Sequence, residues 1–284
     1  MLLVVISVCK ALDCQLNESN QYKVAYTVLV DKSGEGNFDT IQSAIDSIPE
    51  NNTQWIRVIP VNKPCIFLEG AGSEYASIES DDHQDTPTSA IFISYSDNIV
   101  AKGITFKNTY NLQIREDKII WMRAPAIRIR GDKSALYNCA FLGYKTPFVM
   151  IRAVTTLENA TLKVLWILFL ALLSLSTSGF VFKNCEITGT GIACLGRAWG
   201  PYSTVIIYNS TISDVVVPQG WSAWGFVGHE ANFTHVEANN SGPGADTSNR
   251  VPWLKKLDDS QLSIFVNISY IDEDGWIAKL PTVS

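Results

Sequence analysis

The phrase LGRAWG at residues 195–200 carries the most specific chemistry in the chain. Arg197 and Trp199 alternate along what reads as a short strand, so their side chains leave on the same side. A guanidinium holds a carboxylate through two parallel hydrogen bonds, and an indole offers a flat platform for a sugar ring. GWSAW at 220–224 adds Trp221 and Trp224. Aromatic faces beside an arginine suit an acidic polysaccharide. A structural arginine among core tryptophans would give the same spacing, and spacing alone does not separate the two.

Other candidates are weaker. DDHQD at 81–85 gathers Asp81, Asp82, His83 and Asp85, but so dense a charge run reads as a solvated turn rather than a metal site. Asp258, Asp259 and the Asp272–Asp274 cluster also read as surface. Neither His229 nor His235 has a Ser or Cys motif beside it, and no G-x-S-x-G occurs, so a serine-esterase mechanism has no support. Six cysteines are too few for a disulfide scaffold and are not spaced for zinc. A formal charge of −6 argues against nonspecific nucleic-acid binding.

The elements that must position these residues are short. The clearest helix is FDTIQSAIDSI, which puts Phe38, Ile41, Ala44, Ile45 and Ile48 on one face. Most of the rest is β-branched or aromatic runs broken by Gly, Asn and Asp. Four of them share a phrase: FKNT at 106–109, LYNC at 136–139, FKNC at 182–185 and IYNS at 207–210. The widest gap, between LYNC and FKNC, would hold two turns of a solenoid. With so little helix, the expected fold is a parallel β-helix with an asparagine at one recurring turn. Cys139 and Cys185 then share a register inside the stack, too far apart to bridge. The helix near residue 40 would cap the open end. After about residue 215 the repeat fades into loops folded back along the stack.

Two apolar stretches stand outside this pattern. Residues 1–21 begin MLLVVISVCK, which reads as a weak or truncated leader, with 22–284 as one domain. Sequons open at Asn17, Asn51, Asn159, Asn209, Asn232, Asn239 and Asn267, in keeping with a secreted glycoprotein. KVLWILFLALLSLSTS at 163–178 is short for a membrane span and reads first as a buried core segment.

At these phrases the chain resembles the plant pectinesterases (pectin methylesterases), in the subgroup without the N-terminal inhibitor-like region. The matching text includes VDKSGEGNFDTIQSAIDSIPENN, DDHQDT, RGDKSALYNCAFLGY, SGFVFKNCEITGTG, LGRAWGPYSTVIIYNS and NNSGPGADTSNRVPW, and covers most of residues 28 to 253. The resemblance implies an all-β, right-handed parallel β-helix. It implies hydrolysis of galacturonic methyl esters in cell-wall pectin, with no cofactor or metal. One aspartate would attack the ester, a second would serve as acid then base, and glutamines would support the oxyanion. Arg197 matches the arginine that orients the nucleophile, and Trp199 and Trp221 match tryptophans of the sugar cleft.

The chain departs from the family at the carboxylates. Where relatives follow G-Y with Gln-Asp-Thr, this chain has Lys145, Thr146 and Pro147. The upstream glutamine falls on Arg123, and no D-F-[IV]-F-G phrase for the nucleophile occurs. A coil between Phe148 and the ENAT of 158–161 is missing, a smaller gap follows Pro60, and the apolar run stands where relatives carry a polar strand and loop. The domain is therefore expected to be disrupted around 145–178, as by an altered exon boundary or a retained intron. The expected protein is a secreted, monomeric, cell-wall member of the family that meets methyl-esterified homogalacturonan. Its turnover is expected to be impaired. The alternatives are a non-catalytic pectin-binding homologue, a faulty gene model, or a membrane-associated protein using 164–175.

Overall fold

The computed structural model describes residues 24–28, 37–39, 41–48, 55–57, 66–70, 72–81, 83, 90–95, 97–110, 124–129, 131–143, 148–150, 154–164, 179–198, 200–270, 272 and 275. Within them the chain winds as a parallel β-helix, its strands pairing in parallel with those of neighbouring coils. The first sheet runs Val24–Thr27, Trp55–Arg57, Ile66–Glu69, Ile99–Lys102, Ser134–Tyr137, Val154–Glu158, Gly179–Lys183, Thr204–Tyr208, Thr234–Ala238. The second stacks Ser77–Ser80, Thr105–Asn108, Ala140–Gly143, Thr161–Val164, Glu186–Gly189 and Thr211–Ile212. The third face holds Phe92–Ser94, Ile127–Ile129 and Phe148–Met150, then a separate pair, Gly196–Arg197 with Trp221–Ser222.

Alternation along each strand decides what lies inside. On the second sheet Phe106, Phe141, Leu162, Ile187 and Ile212 stand in register and are all buried. The Phe106 and Phe141 rings stack at 5.5 Å. On the first sheet Leu68, Ala101, Leu136, Leu157, Phe182 and Ile207 form the facing inward column. Its next member is Glu237, a carboxylate at a position where every coil before it is apolar.

From the coil of Ile99–Lys102 onward, one turn recurs after each described first-sheet strand. Asn138, Asn159, Asn184, Asn209 and Asn239 occupy it with φ of 51°, 53°, 54°, 50° and 55°, and Gly103 takes the same place with φ 64°. Asparagine tolerates this left-handed conformation better than other side chains, and its amide can bond the next coil. Asn209 Nδ2 donates to Asn184 Oδ1 at 2.7 Å. The gap between LYNC and FKNC does hold two turns, with LENA at 157–160 supplying the intermediate Asn159. FKNT was out of register: Asn108 ends a second-sheet strand and donates from Nδ2 to Pro125 O at 3.2 Å.

Cys139 and Cys185 are buried and free, with Ala160 occupying the coil between them. Burial pushes both thiols up to about 12, so neither is a nucleophile. The helix near residue 40 spans Ile41–Asp46 and sends Ala44 and Ile48 into the core. The repeat continues past residue 215, because Thr234–Ala238 adds a further first-sheet strand. Only then does the chain turn back. Its helix Asp259–Val266, opened by an Asp258–Gln261 capping box, lays Leu262 on Val181, Ile206 and Val236 of the sheet's outer side. Asp272 is buried rather than on the surface.

The leader and most of the apolar run lie outside the described residues; only its first two members fall in the strand Thr161–Val164. No helix among the described residues is long and apolar enough to cross a membrane.

Candidate functional site on the third face

The third face is where the chain's chemistry gathers, and among the described residues its strands form two separate groups. From Ile99 onward, first-sheet strands begin at 99, 134, 154, 179, 204 and 234, and the step from 134 to 154 is the shortest of these. That short coil carries Phe148–Met150 on the third face, paired with Ile127–Ile129. The next coil passes through Val154–Glu158 and Thr161–Val164, and residues 165–178, which follow, lie outside the described ones. The following coil brings Gly196–Arg197, paired with Trp221–Ser222.

Arg197 is half-buried, and its guanidinium carbon sits 5.3 Å from the centroid of the Trp224 ring. Its Nε is buried without a hydrogen-bond partner. Burial pulls the guanidinium below its usual pKa, with the nearby Cys194 opposing the shift. Gly196 fits beside it because a Cβ there would meet the Trp221 ring at 2.7 Å. Trp199 lies outside the described residues.

Trp221 is not an open platform. It is 2% exposed, its ring lies 4.4 Å from that of His235, and its Nε1 donates to Glu237 Oε1 at 2.8 Å. Arg250 closes this cluster: Nε donates to Glu237 Oε1 at 2.8 Å and Nη2 to Oε2 at 3.0 Å. Both side chains are almost fully buried, at 3% and 2% exposure. The inward carboxylate is therefore held by a two-pronged ion pair and an indole N–H, the only arrangement that makes such a charge tolerable in a core. Sequence reasoning missed Glu237 and Arg250. Nothing in either residue's neighbours marks it, and only the stack shows that Glu237 points inward.

His235 does meet a serine, although no motif announces it. Ser203 Oγ lies 2.8 Å from His235 Nε2. Both residues are 0% exposed, and His235 Nδ1 has no partner to orient it. Burial holds the imidazole neutral, with its pKa pushed down to about 3. A Ser–His pair without access or a third group is packing, not an esterase site.

His83 stacks on Tyr110 with ring centroids 3.4 Å apart and its Nδ1 is 2.8 Å from Asp81 O. Among the described residues no three acidic, histidine or cysteine side chains gather as a metal site.

The pectinesterase family model matches residues 27–152 and 174–274. The chain belongs to the pectinesterase family. It is 37% identical to probable pectinesterase 29 of Arabidopsis thaliana over 299 aligned positions, covering 89% of each chain. It is 37% identical to putative pectinesterase 10 of the same plant, over 93% of this chain and 90% of that one. Its fold is that of the pectin methylesterase from carrot, with a TM-score of 0.70 and 22% identity over 92% and 98% of the two chains. The pectinesterase match skips residues 153–173, although Val154–Glu158 and Thr161–Val164 stack in register there.

Proposed function

We propose that this pectinesterase-family chain engages methyl-esterified homogalacturonan, the pectin of the plant cell wall, along its third face, and that it turns the ester over at background rate. The observation that carries this reading is the pair of matched spans, 27–152 and 174–274, which flank an unmatched stretch, 153–173. The family reaction hydrolyses the methyl ester of a galacturonic unit and releases methanol. It needs a carboxylate to attack the carbonyl and a second to move the proton.

In this chain Lys145, Thr146 and Pro147 stand where the acid/base phrase is expected, and the nucleophile phrase does not occur. Arg197, with Trp199 and Trp221 as the matching tryptophans, keeps the part of the cleft that orients and binds. Trp221 acts from beneath, by filling the space behind Gly196 and fixing Glu237, rather than by touching sugar. Removing cooperating carboxylates costs orders of magnitude in rate and leaves binding and residual electrostatics. Secretion to the wall and action as a monomer complete the reading.

The test is methanol release from highly methylated pectin by the purified chain beside its Arg197→Ala variant. The two are expected to match at background. Turnover clearly above the variant would overturn the impaired-catalysis reading.

A further inference from the structure

Arg197, half-buried, and Arg250, almost fully buried, differ in what their guanidinium groups meet. Arg250 is neutralised by Glu237 and also donates to the carbonyls of Val217, Pro218 and Gly244. Arg197 has no carboxylate within ion-pair distance among the described residues, and its buried Nε–H is unspent. A buried donor on a charged group, left without an acceptor, costs more than an ordinary hydrogen bond contributes, and an anionic acceptor would answer both its open N–H and its charge.

The surface above it is shaped as well. Trp224 is 53% exposed and lies against the guanidinium. Its backbone sits at φ 46°. A bulky side chain in the left-handed region is a strained outlier, of the kind that persists where the surroundings enforce it and clusters at ligand sites. The strain holds an apolar ring open to solvent beside a cation, where a sugar could stack while its carboxylate meets the fork.

We propose that Arg197 and Trp224 form a subsite for the free carboxylate of an unesterified galacturonate unit, so that the chain prefers de-esterified to methyl-esterified pectin. The proposal rests on the pectin reading above and adds a preference within it. A methyl ester presents no charge and one fewer acceptor of bidentate type, so it leaves the fork incomplete. The net charge of −6 excludes general attraction of polyanions, and a preference for the acid form must then come from a local cation.

The experiment is calorimetric titration of the full chain with two α-1,4-linked galacturonic hexamers, one with free acids and one fully methyl-esterified, at neutral pH and low salt. The free-acid hexamer is expected to bind about tenfold more tightly, the scale of one charge-assisted pair. Arg197→Gln should bring the two affinities together. Arg197→Lys, which keeps the charge and loses the fork, should fall between. Trp224→Ala should weaken both hexamers and preserve their ratio. Equal or tighter binding of the methylated hexamer overturns the preference and leaves the pectin reading standing; so does a ratio unchanged in Arg197→Gln. Binding of neither hexamer to a chain with a folded near-ultraviolet spectrum overturns the pectin reading and this subsite together.

Discussion

On the first and second sheets, Val154–Glu158 and Thr161–Val164 sit in unbroken parallel register between their neighbours, while on the third face the described residues give two separate groups, one ending at Phe148–Met150 and one starting at Gly196–Arg197. The same stretch of chain is therefore well placed in the frame, although the family match skips residues 153–173. The first two sheets ask little of a segment: main-chain pairing, an inward apolar residue such as Leu157 or Leu162, and a residue at the turn that accepts a positive φ, as Asn159 does. Each coil touches mainly the coils beside it, so a stack can close over a shortened one. The third face asks for particular polar side chains at particular rungs. A stack that heals its frame does not thereby restore its chemistry.

The comparison can be broken first on the side of the frame, where the effect is largest. Glu237→Ala would leave Arg250 buried and uncompensated and free the Trp221 N–H, at a cost of about 3–5 kcal/mol. Denaturant titration should show a large fall in the midpoint, and a change under ~1 kcal/mol would mean the cluster is not the lock that it resembles.

Acid should loosen the same region. His235 is held neutral, with a folded pKa near 3 against about 6.5 unfolded, so below pH 6.5 the unfolded chain binds the extra proton. Its contribution is fully present above that pH and is lost progressively as pH falls towards 3. Melting temperature followed from pH 7 to pH 4 should decline, and His235→Gln should flatten the decline.

The smallest effect belongs to a single turn. Asn209→Ala places a Cβ without an amide at φ 50° and removes the bond to Asn184, for about 1–2 kcal/mol. Asn209→Gly should recover most of it, as Gly103 occupies the same turn unaided. Equal losses in both variants would show that the amide ladder, not the backbone conformation, is what the turn requires.

Much of the frame was legible in the residues because a solenoid repeats its own instructions. The short runs, the recurring Asn and the amphipathic stretch near residue 40 each describe one coil or one cap. What misled was local likeness. FKNT and FKNC differ by one residue, yet the first lies on the second sheet, since Gly103 has already made the turn before it. LENA, with no aromatic, was the true member of the series. The site was legible only in part. Arg197 stands in a specific phrase, but tryptophans look alike whether they line a cleft or fill a core, and Trp221 proved to be buried while Trp224 is open. Glu237 gave no local signal, because its inward direction follows from register with the six coils before it.

The most direct test replaces residues 144–178 with the corresponding segment of Arabidopsis probable pectinesterase 29 and measures methanol release from methylated pectin. If the frame is intact and only the third-face rung is at fault, the graft should release methanol, Arg197→Ala in the graft should abolish that release, and the ungrafted chain should stay at background. A folded graft that remains inert, or an ungrafted chain that already turns over, would contradict the account.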